Sequence, residues 1–442
     1  MNKNTIHRMV VGIMVLFFSV PCLGQKKTAV VTSFMHAMKE AHLDSAYLLF
    51  NETVKSKLSI YDLKQLWISI EMKSGKLKTY AIPDQPDSSA SFIIVSSQFE
   101  IDKYDLKFKV DKDYLISAFF IAPPQADSYS PPTYDHSKKY RETEVRFSTR
   151  EGLTLSGSLV VPVNATHCPV VILSQGSGAQ DRDETIGPNK PFRDLAVGLA
   201  QEGIASYRFD KRNRMHPSYF KSNPNFTAKE EVMDDVLSAV AAIKKAEGID
   251  SSAVFIIGHS LGGMLAPRLE NYEKDIKGYI LMAANSMSLQ DLLAYQIDYL
   301  TNLDGEQTEA EKLEVTKFKK QLGNLKALSM DSSSASNLEL PLGLPSSYWN
   351  DLLKYDQVKA VQNNPKPFLI LQGKRDYQVT DKNFKLWKTG LSQRKNIKFI
   401  SYPLLNHLFM EGTGEASPAE YSKPNHVPGY VIQDIATWIK TN

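Results

Sequence analysis

The sequence predicts an α/β architecture, an open and mostly parallel sheet covered by helices, with a smaller α+β domain in front of it. Three observations carry that expectation. Beyond residue 142, short and nearly continuous apolar runs alternate with helix-patterned segments, as in sheets buried on both faces. Between residues 25 and 121 the order is instead helices first and strands after, the pattern of a separate α+β unit. A Pro-rich, polar stretch without periodicity, "APPQADSYSPPTYDHSKK", divides the two, so residues 122–141 read as a linker.

The chain has 442 residues, and a prior of about 150 per domain allows two or three units. Hydrophobic residues make up 42% and charged residues 23%, close to a globular average, which sets disordered and fibrous classes aside. Lys plus Arg number 52 against 49 Asp plus Glu, with no concentrated basic face of the kind that counterion release on nucleic acid requires. Nucleic acid is therefore not an expected partner. The start, "MNKNTIHRMVVGIMVLFFSVPCLGQKK", has a charged end, an apolar run from Met9 to Val20, then Pro21 and Gly24. That run is short for a bilayer span and matches a secretory signal over residues 1–24, the alternative being a retained anchor. The expectation is an exported protein, periplasmic or extracellular, with no stable membrane insertion after cleavage. Cys22 leaves with the signal and Cys168 remains, so no internal disulfide can form.

In the front domain, "AVVTSFMHAMKEAHL" and "SIYDLKQLWISIEM" carry helical spacing, whereas "ASFIIVSSQF" and "DLKFKV" read as strands. The segment resembles the nuclear-transport-factor-like cone domains that precede some bacterial hydrolases. It is the candidate for a binding role, either forming a homodimer or bordering the cleft.

In residues 142–442, "EVRFST" and "LTLSGSLVVP" read as an antiparallel pair. They are followed by the strands "PVVILSQ", "IASYRFD", "AVFIIGH", "GYILMAA", "PFLILQG" and "IKFISYP". Covering helices are expected at 191–203, 227–248, 261–272, 381–391 and 429–440. One long interruption, about residues 286–364 and helical in pattern from Leu289 to Leu322, reads as a lid, because insertions at the carboxyl end of a sheet commonly shape a ligand cavity.

The chemistry centres on "VFIIGHSLGG". Gly-x-Ser-x-Gly alone is a weak signal, expected by chance in roughly one chain of this length in ten. Here it follows a strand and opens a helix, the setting in which a strained turn projects a serine hydroxyl. The elbow comprises Gly258, His259, Ser260 and Gly262, with glycine where a side chain would collide across the turn. The competing reading is an ordinary helix-capping serine. A serine hydroxyl needs a base, and His407 in "SYPLLNHLF" follows the last strand; His426 is the only other histidine after Ser260. Asp376 in "LQGKRDYQVT" follows the preceding strand and can orient that imidazole. The order Ser260, Asp376, His407 is that of the nucleophile-elbow hydrolases. His259 reads as a side chain directed into the sheet and not as the base. For the oxyanion, the Leu261 N–H is one natural donor, and the Gly176-Ser177-Gly178 turn offers Ser177 or, second, Gly178. That turn lacks the third glycine of a dinucleotide fingerprint and the lysine of a P-loop.

Together "GSGAQDRDETIGPNKPFRDLA", "YRFDKRNR", "GHSLGGMLAPR", "LQGKRDYQVT" and "YPLLNHLF" resemble a bacterial α/β-hydrolase family of serine esterases, similar to dienelactone-hydrolase-like and acyl-CoA-thioesterase-like enzymes. The resemblance covers about residues 142–442 and implies an α/β-hydrolase fold with a helical lid, Ser260 as nucleophile, Asp376 as acid and His407 as base. Gln175 departs from it, standing where many members have histidine before the oxyanion glycine.

The cluster Arg208, Lys211, Arg212 and Arg214 could meet an anionic substrate group or serve in ion pairs with Asp181, Asp183 or Asp210, the second being the expectation. Tyr295, Tyr299, Tyr348 and Trp349 either line a pocket or pack the lid. No metal-ligand spacing occurs, so no metal or organic cofactor is implied. The expected function is an exported serine carboxylesterase acting on a small-molecule ester with a short acyl chain. The alternatives are a thioesterase or acyltransferase, a peptidase on the same residues, and a binding protein without turnover.

Overall fold

The computed structural model describes residues 23–82, 92–100, 103–122, 129–163, 165–303, 309–330 and 338–442. The expected signal, residues 1–24, lies almost wholly outside them. Two compact units divide the chain, Met1–Pro124 and Gln125–Asn442. No helix among the described residues is long and apolar enough to cross a membrane.

The first unit joins helices Leu23–Lys39, Leu43–Leu48, Glu52–Lys55 and Ile60–Ser74 to an antiparallel sheet. Its strands, β1 (Leu77–Ala81), β2 (Ile93–Phe99), β3 (Lys103–Val110) and β4 (Ile116–Ala122), lie in chain order. Alternation fixes the facing: Ile93, Val95 and Phe99 of β2 are buried, and Leu106, Phe108 and Val110 of β3 join them against Phe34 and Trp67. The helix Ile60–Ser74 starts on a capping box in which the Ser59 and Asp62 side chains answer each other's backbone N–H groups. The segments patterned as helices and strands match both long helices, β2 and β3; β1 and β4 give weaker signals because β1 is short and mostly exposed and β4 alternates poorly.

The second unit is the expected eight-stranded sheet: β5 (Tyr140–Ser148), β6 (Thr154–Pro162), β7 (Cys168–Ser174), β8 (Ala205–Phe209), β9 (Ile249–His259), β10 (Ile276–Met282), β11 (Phe368–Gly373) and β12 (Ile397–Tyr402). Their spatial order is β12-β11-β10-β9-β7-β8-β6-β5. β5 pairs antiparallel with β6 and β6 with β8; every other neighbour is parallel. β7, β8, β10 and β11 bury nearly every residue, and β9 buries its second half, which is why they read as apolar runs. Separate apolar clusters fill the two faces, one around Ile172, Ile256, Leu265 and Trp387, the other around Leu173, Ile257, Leu371 and Ile435. This is an α/β-hydrolase fold. From β7 the chain crosses to β8 on one side and then to β9 on the other, so the carboxyl ends of β7 and β9 form a topological switch point, the usual place for a ligand in such sheets.

Two expectations need correction. The helix awaited from Thr227 to Gly248 opens with a wide π turn, Lys229–Met233, before its regular part, Asp234–Ile243. The one from Leu261 tightens after a single turn into a 3-10 segment, Ala266–Asn271, because Pro267 cannot donate into the α ladder. The lid carries two helices where the pattern is helical, Leu289–Thr301 and Glu309–Met330, the second running beyond Leu322, followed by Ser346–Leu353 and Gln357–Asn363.

The linker also ends earlier than its composition suggested, because residues 129–139 are fastened to the second unit. The Tyr129 hydroxyl donates to Asp194 at 2.8 Å and the Tyr134 hydroxyl to the Val427 carbonyl at 2.6 Å. Asp194 is fully buried and also accepts the Val427 N–H at 3.0 Å, with His426 Nδ1 3.3 Å away. Asp194→Ala strands these donors and is expected to lower the stability of this unit by about 1–3 kcal/mol. Urea unfolding followed by tryptophan fluorescence checks it; an unchanged midpoint contradicts the anchoring role.

Candidate active site

Ser174 of β7 lies opposite Gly258 of β9 in parallel register. Two residues further on, the chains therefore leave the sheet side by side at Gly176 and Ser260; a side-chain carbon built on Gly176 would lie 3.3 Å from the Ser260 Cβ. Ser260 has φ 52° and ψ −118°, a left-handed conformation that a non-glycine residue adopts only under constraint. The constraint is visible: the Ser260 N–H donates to the Met282 carbonyl of the neighbouring strand at 2.9 Å, and its own carbonyl accepts the Met264 N–H at 2.9 Å. The turn closes only because its flanks are glycine. A Cβ on Gly258 would meet the Gly262 and Gly263 backbone at 2.6 Å, and one on Gly262 would meet the Ser174 carbonyl oxygen at 2.4 Å.

Asp376 and His407 come from the loops after β11 and β12. These loops are stitched together by the Arg375 N–H donating to the Leu405 carbonyl at 3.0 Å. His407 Nδ1 stands 2.8 Å from Asp376 Oδ2, both side chains being buried. Oδ1 of Asp376 accepts the N–H groups of Gln378 and Val379, each at 2.8 Å, and Gln372 Nε2 reaches Oδ2 at 3.2 Å. The carboxylate is thus held on both oxygens, which fixes the imidazole with Nδ1 as its donor and leaves Nε2 to act as acceptor. Asn406 shapes the loop by accepting the N–H groups of Leu408 and Met410, and Glu420 ties it to Arg375. Among the described residues the Ser260 hydroxyl makes no hydrogen bond, and a contact of this kind often tightens only with substrate in place.

The oxyanion candidates face the same space as Ser260. Ser177, Gly178, Ser260 and Leu261 all line one cavity of about 510 Å³. Leu261 is the first residue of its helix, so its N–H has no partner within that helix. The Gly176 N–H is taken by the Glu184 carboxylate at 2.7 Å, which leaves Ser177 and Gly178 as the donors this turn can offer. Gln175, the departure from the family pattern, does not face the cavity. Its amide braces the turn from behind, donating to the carbonyls of Asp181 and Phe209.

Much of the remaining wall is apolar and comes from the lid and the segment after β8, including Leu289, Leu292, Leu344, Phe220 and Phe226. One end is polar. Glu231 accepts from the Tyr348 hydroxyl at 2.6 Å and from Lys211 Nζ at 3.0 Å, and Lys211 donates onward to the Gly176 carbonyl at 2.9 Å. Burial, with the Glu231 carboxylate beside it, pushes the Tyr348 phenol well above its ordinary range, so it remains a donor.

The basic cluster follows the ion-pair reading. Arg208 is buried against Asp183 and Glu142, and Arg212 against Asp235 and Glu151. Arg214 is exposed. Of the lid aromatics, Tyr348 lines the cavity while Trp349 packs inside the lid. Tyr295 and Tyr299 border a second cavity, beside Tyr377.

Sequence reasoning missed Glu184 and Glu231. Glu184 sits in "DRDET" among other acids, and nothing in the pattern separates a buried carboxylate from solvated ones. His259 is buried as expected, and it bonds Glu184 through Nδ1 at 3.0 Å and the His407 carbonyl through Nε2 at 2.9 Å.

No family model matches the chain. Among curated proteins, the esterase EstD of Thermotoga maritima is 31% identical over 416 residues, covering 92% of this chain and 93% of EstD. Among solved structures, Est1E of Butyrivibrio proteoclasticus aligns at a TM-score of 0.43 with 17% identity, over 68% of this chain and 99% of that one. An esterase of Pyrococcus furiosus aligns at 0.43 with 14% identity, over 71% and 98%.

Because Gly262 touches β7 backbone that cannot yield, Gly262→Ala is expected to push the elbow helix off the sheet. Reactivity of Ser260 toward a fluorophosphonate probe should fall at least tenfold, with a loss of stability of about 1–3 kcal/mol. Wild-type labelling in a fully stable variant contradicts the close-approach account.

Proposed function

Starting from the fact that this chain belongs to the family of bacterial α/β-hydrolase-fold serine esterases that includes EstD, we propose that it hydrolyses short-chain carboxylic esters through Ser260, His407 and Asp376. The observation that carries this reading is the left-handed Ser260 on a cavity wall shared with Ser177, Gly178 and Leu261, in a unit where His407 Nδ1 is held 2.8 Å from the Asp376 carboxylate.

In the proposed cycle Ser260 Oγ attacks the ester carbonyl while His407 Nε2 takes its proton, and Asp376 steadies the imidazolium without itself being protonated. The carbonyl oxygen, now negative, receives the Leu261 N–H and the N–H of Ser177 or Gly178. Collapse breaks the bond to the alcohol, which leaves with the proton from His407. Water, deprotonated by the same imidazole, then releases the acid and restores Ser260.

Two features support a short acyl group. The cavity, about 510 Å³, is of ordinary small-ligand size and has to be shared by acyl and alcohol parts. Its wall turns polar at Glu231, which Lys211 links to the oxyanion turn itself, so a long hydrocarbon running that way would desolvate a carboxylate. The reading extends to location: the charged start and apolar run of residues 1–24 support export, a setting in which ester substrates outnumber acyl-CoA thioesters.

Fluorophosphonate labelling is expected for wild type, none for Ser260→Ala, and at least a hundredfold slower labelling for His407→Ala. Labelling that survives in Ser260→Ala overturns the assignment. Among p-nitrophenyl esters, kcat/KM is expected to fall at least tenfold from butyrate to decanoate; a rise toward decanoate contradicts the short-chain reading.

A further inference from the structure

Glu184 is placed in a way that packing does not account for. It is 2% exposed, has a left-handed backbone at φ 53°, and keeps one carboxylate oxygen, Oε2, buried without a partner. Each of these features is unfavourable by itself, and such features persist where surrounding structure enforces them. The other oxygen, Oε1, accepts twice, from the Gly176 N–H at 2.7 Å and from His259 Nδ1 at 3.0 Å. His259 completes the chain by donating Nε2–H to the carbonyl of His407 at 2.9 Å.

Three loops meet in these bonds. Gly176 opens the oxyanion turn after β7, His259 precedes the nucleophile after β9, and His407 is the base after β12. For His259 to donate from both nitrogens it has to be an imidazolium, and Glu184 supplies the matching charge. Burial opposes that charge, but the Glu184 carboxylate and the bonds to Glu184 and His407 outweigh it and hold the imidazole's pKa above its ordinary value. The charged and titratable groups facing His259 are Glu184 from the oxyanion loop, His407, whose ring centroid lies 4.7 Å away, and Asp376 behind it; the helix Pro191–Gln201 presents the ring of Phe192.

We propose that Glu184 and His259 are positioning residues that clasp the oxyanion turn, the nucleophile elbow and the base loop into one catalytic geometry. The inference rests on the assignment of Ser260 and His407 above. Neither residue touches substrate: Glu184 acts through the Gly176 peptide, whose neighbour carries the oxyanion donor, and His259 acts through the backbone of the base. Misplacement by an ångström at such positions is enough to cost on the order of a hundredfold in rate. The linkage has a definite sign. With its folded pKa raised, His259 contributes stability that is complete below the ordinary histidine range and is lost as pH rises through the raised value. The clasp therefore opens on the alkaline side.

The test is pH-stat kinetics on ethyl butyrate with the full mature chain, comparing wild type, Glu184→Ala, Glu184→Gln and Ser260→Ala, each with a thermal melt. Glu184→Ala is expected to lose about a hundredfold in kcat with KM within threefold. Glu184→Gln keeps an acceptor for the Gly176 N–H and should recover to within about tenfold of wild type. Its alkaline limb should move to lower pH, because His259 has lost its counter-charge. A folded Glu184→Ala with wild-type kcat overturns the clasp. Should that variant fail to fold, a Glu184→Gln profile superimposable on wild type overturns it equally. Loss of melting temperature with unchanged kcat and pH profile means a structural role alone and also rejects the proposal. Activity retained by Ser260→Ala instead rejects the underlying assignment, which no Glu184 result can do.

Discussion

The parallel register that sets Ser174 of β7 against Gly258 of β9 is the constraint from which the rest of the site follows. It brings two strands out of the sheet next to each other at the switch point, one leading into the oxyanion turn and the other into the nucleophile elbow. Such an approach leaves no room for side chains, and the glycines at 258 and 262 are the consequence. With the elbow pinned by β10 through the Ser260 N–H, the serine has no relaxed backbone conformation to fall into. The strain is borne by the sheet, whose buried strands supply the stability.

Electrostatics then act within that geometry. Among the described residues, buried charged groups around the cleft are paired: Asp376 with His407, Glu184 with His259, Glu231 with Lys211, Arg208 with Asp183 and Arg212 with Asp235. Losing one partner of a buried pair is far more costly than losing both, which makes these positions poor sites for neutral drift. The pairs also divide the labour. Asp376 holds the His407 imidazole, Glu184 holds the Gly176 backbone, and Glu231 holds Lys211 and Tyr348 at the cavity.

The sequence revealed what depends on local pattern. Buried parallel strands announce themselves as apolar runs, and the elbow as glycines around Ser260 between a strand and a helix. Asp376 and His407 each follow a strand in the expected order, and the structure sets their side chains 2.8 Å apart. Less legible were features set by tertiary contact. Pro267 shortens the elbow helix, and polar residues within the lid conceal its division into two helices. Tyr129 and Tyr134 anchor a stretch that composition alone marks as linker. Glu184 and Glu231 were hidden for another reason: a buried carboxylate and a solvated one are the same letter, and only their partners tell them apart.

The central claim, that the strained Ser260 directs its hydroxyl between the donors of two loops, is tested most directly by a crystal structure of the protein after reaction with a small alkyl fluorophosphonate. Phosphorus is expected bonded to Ser260 Oγ, with Ser260 still at positive φ and the phosphonyl oxygen within about 3 Å of the Leu261 N–H and of the Ser177 or Gly178 N–H. An adduct on another residue, or a phosphonyl oxygen turned away from both loops, contradicts it.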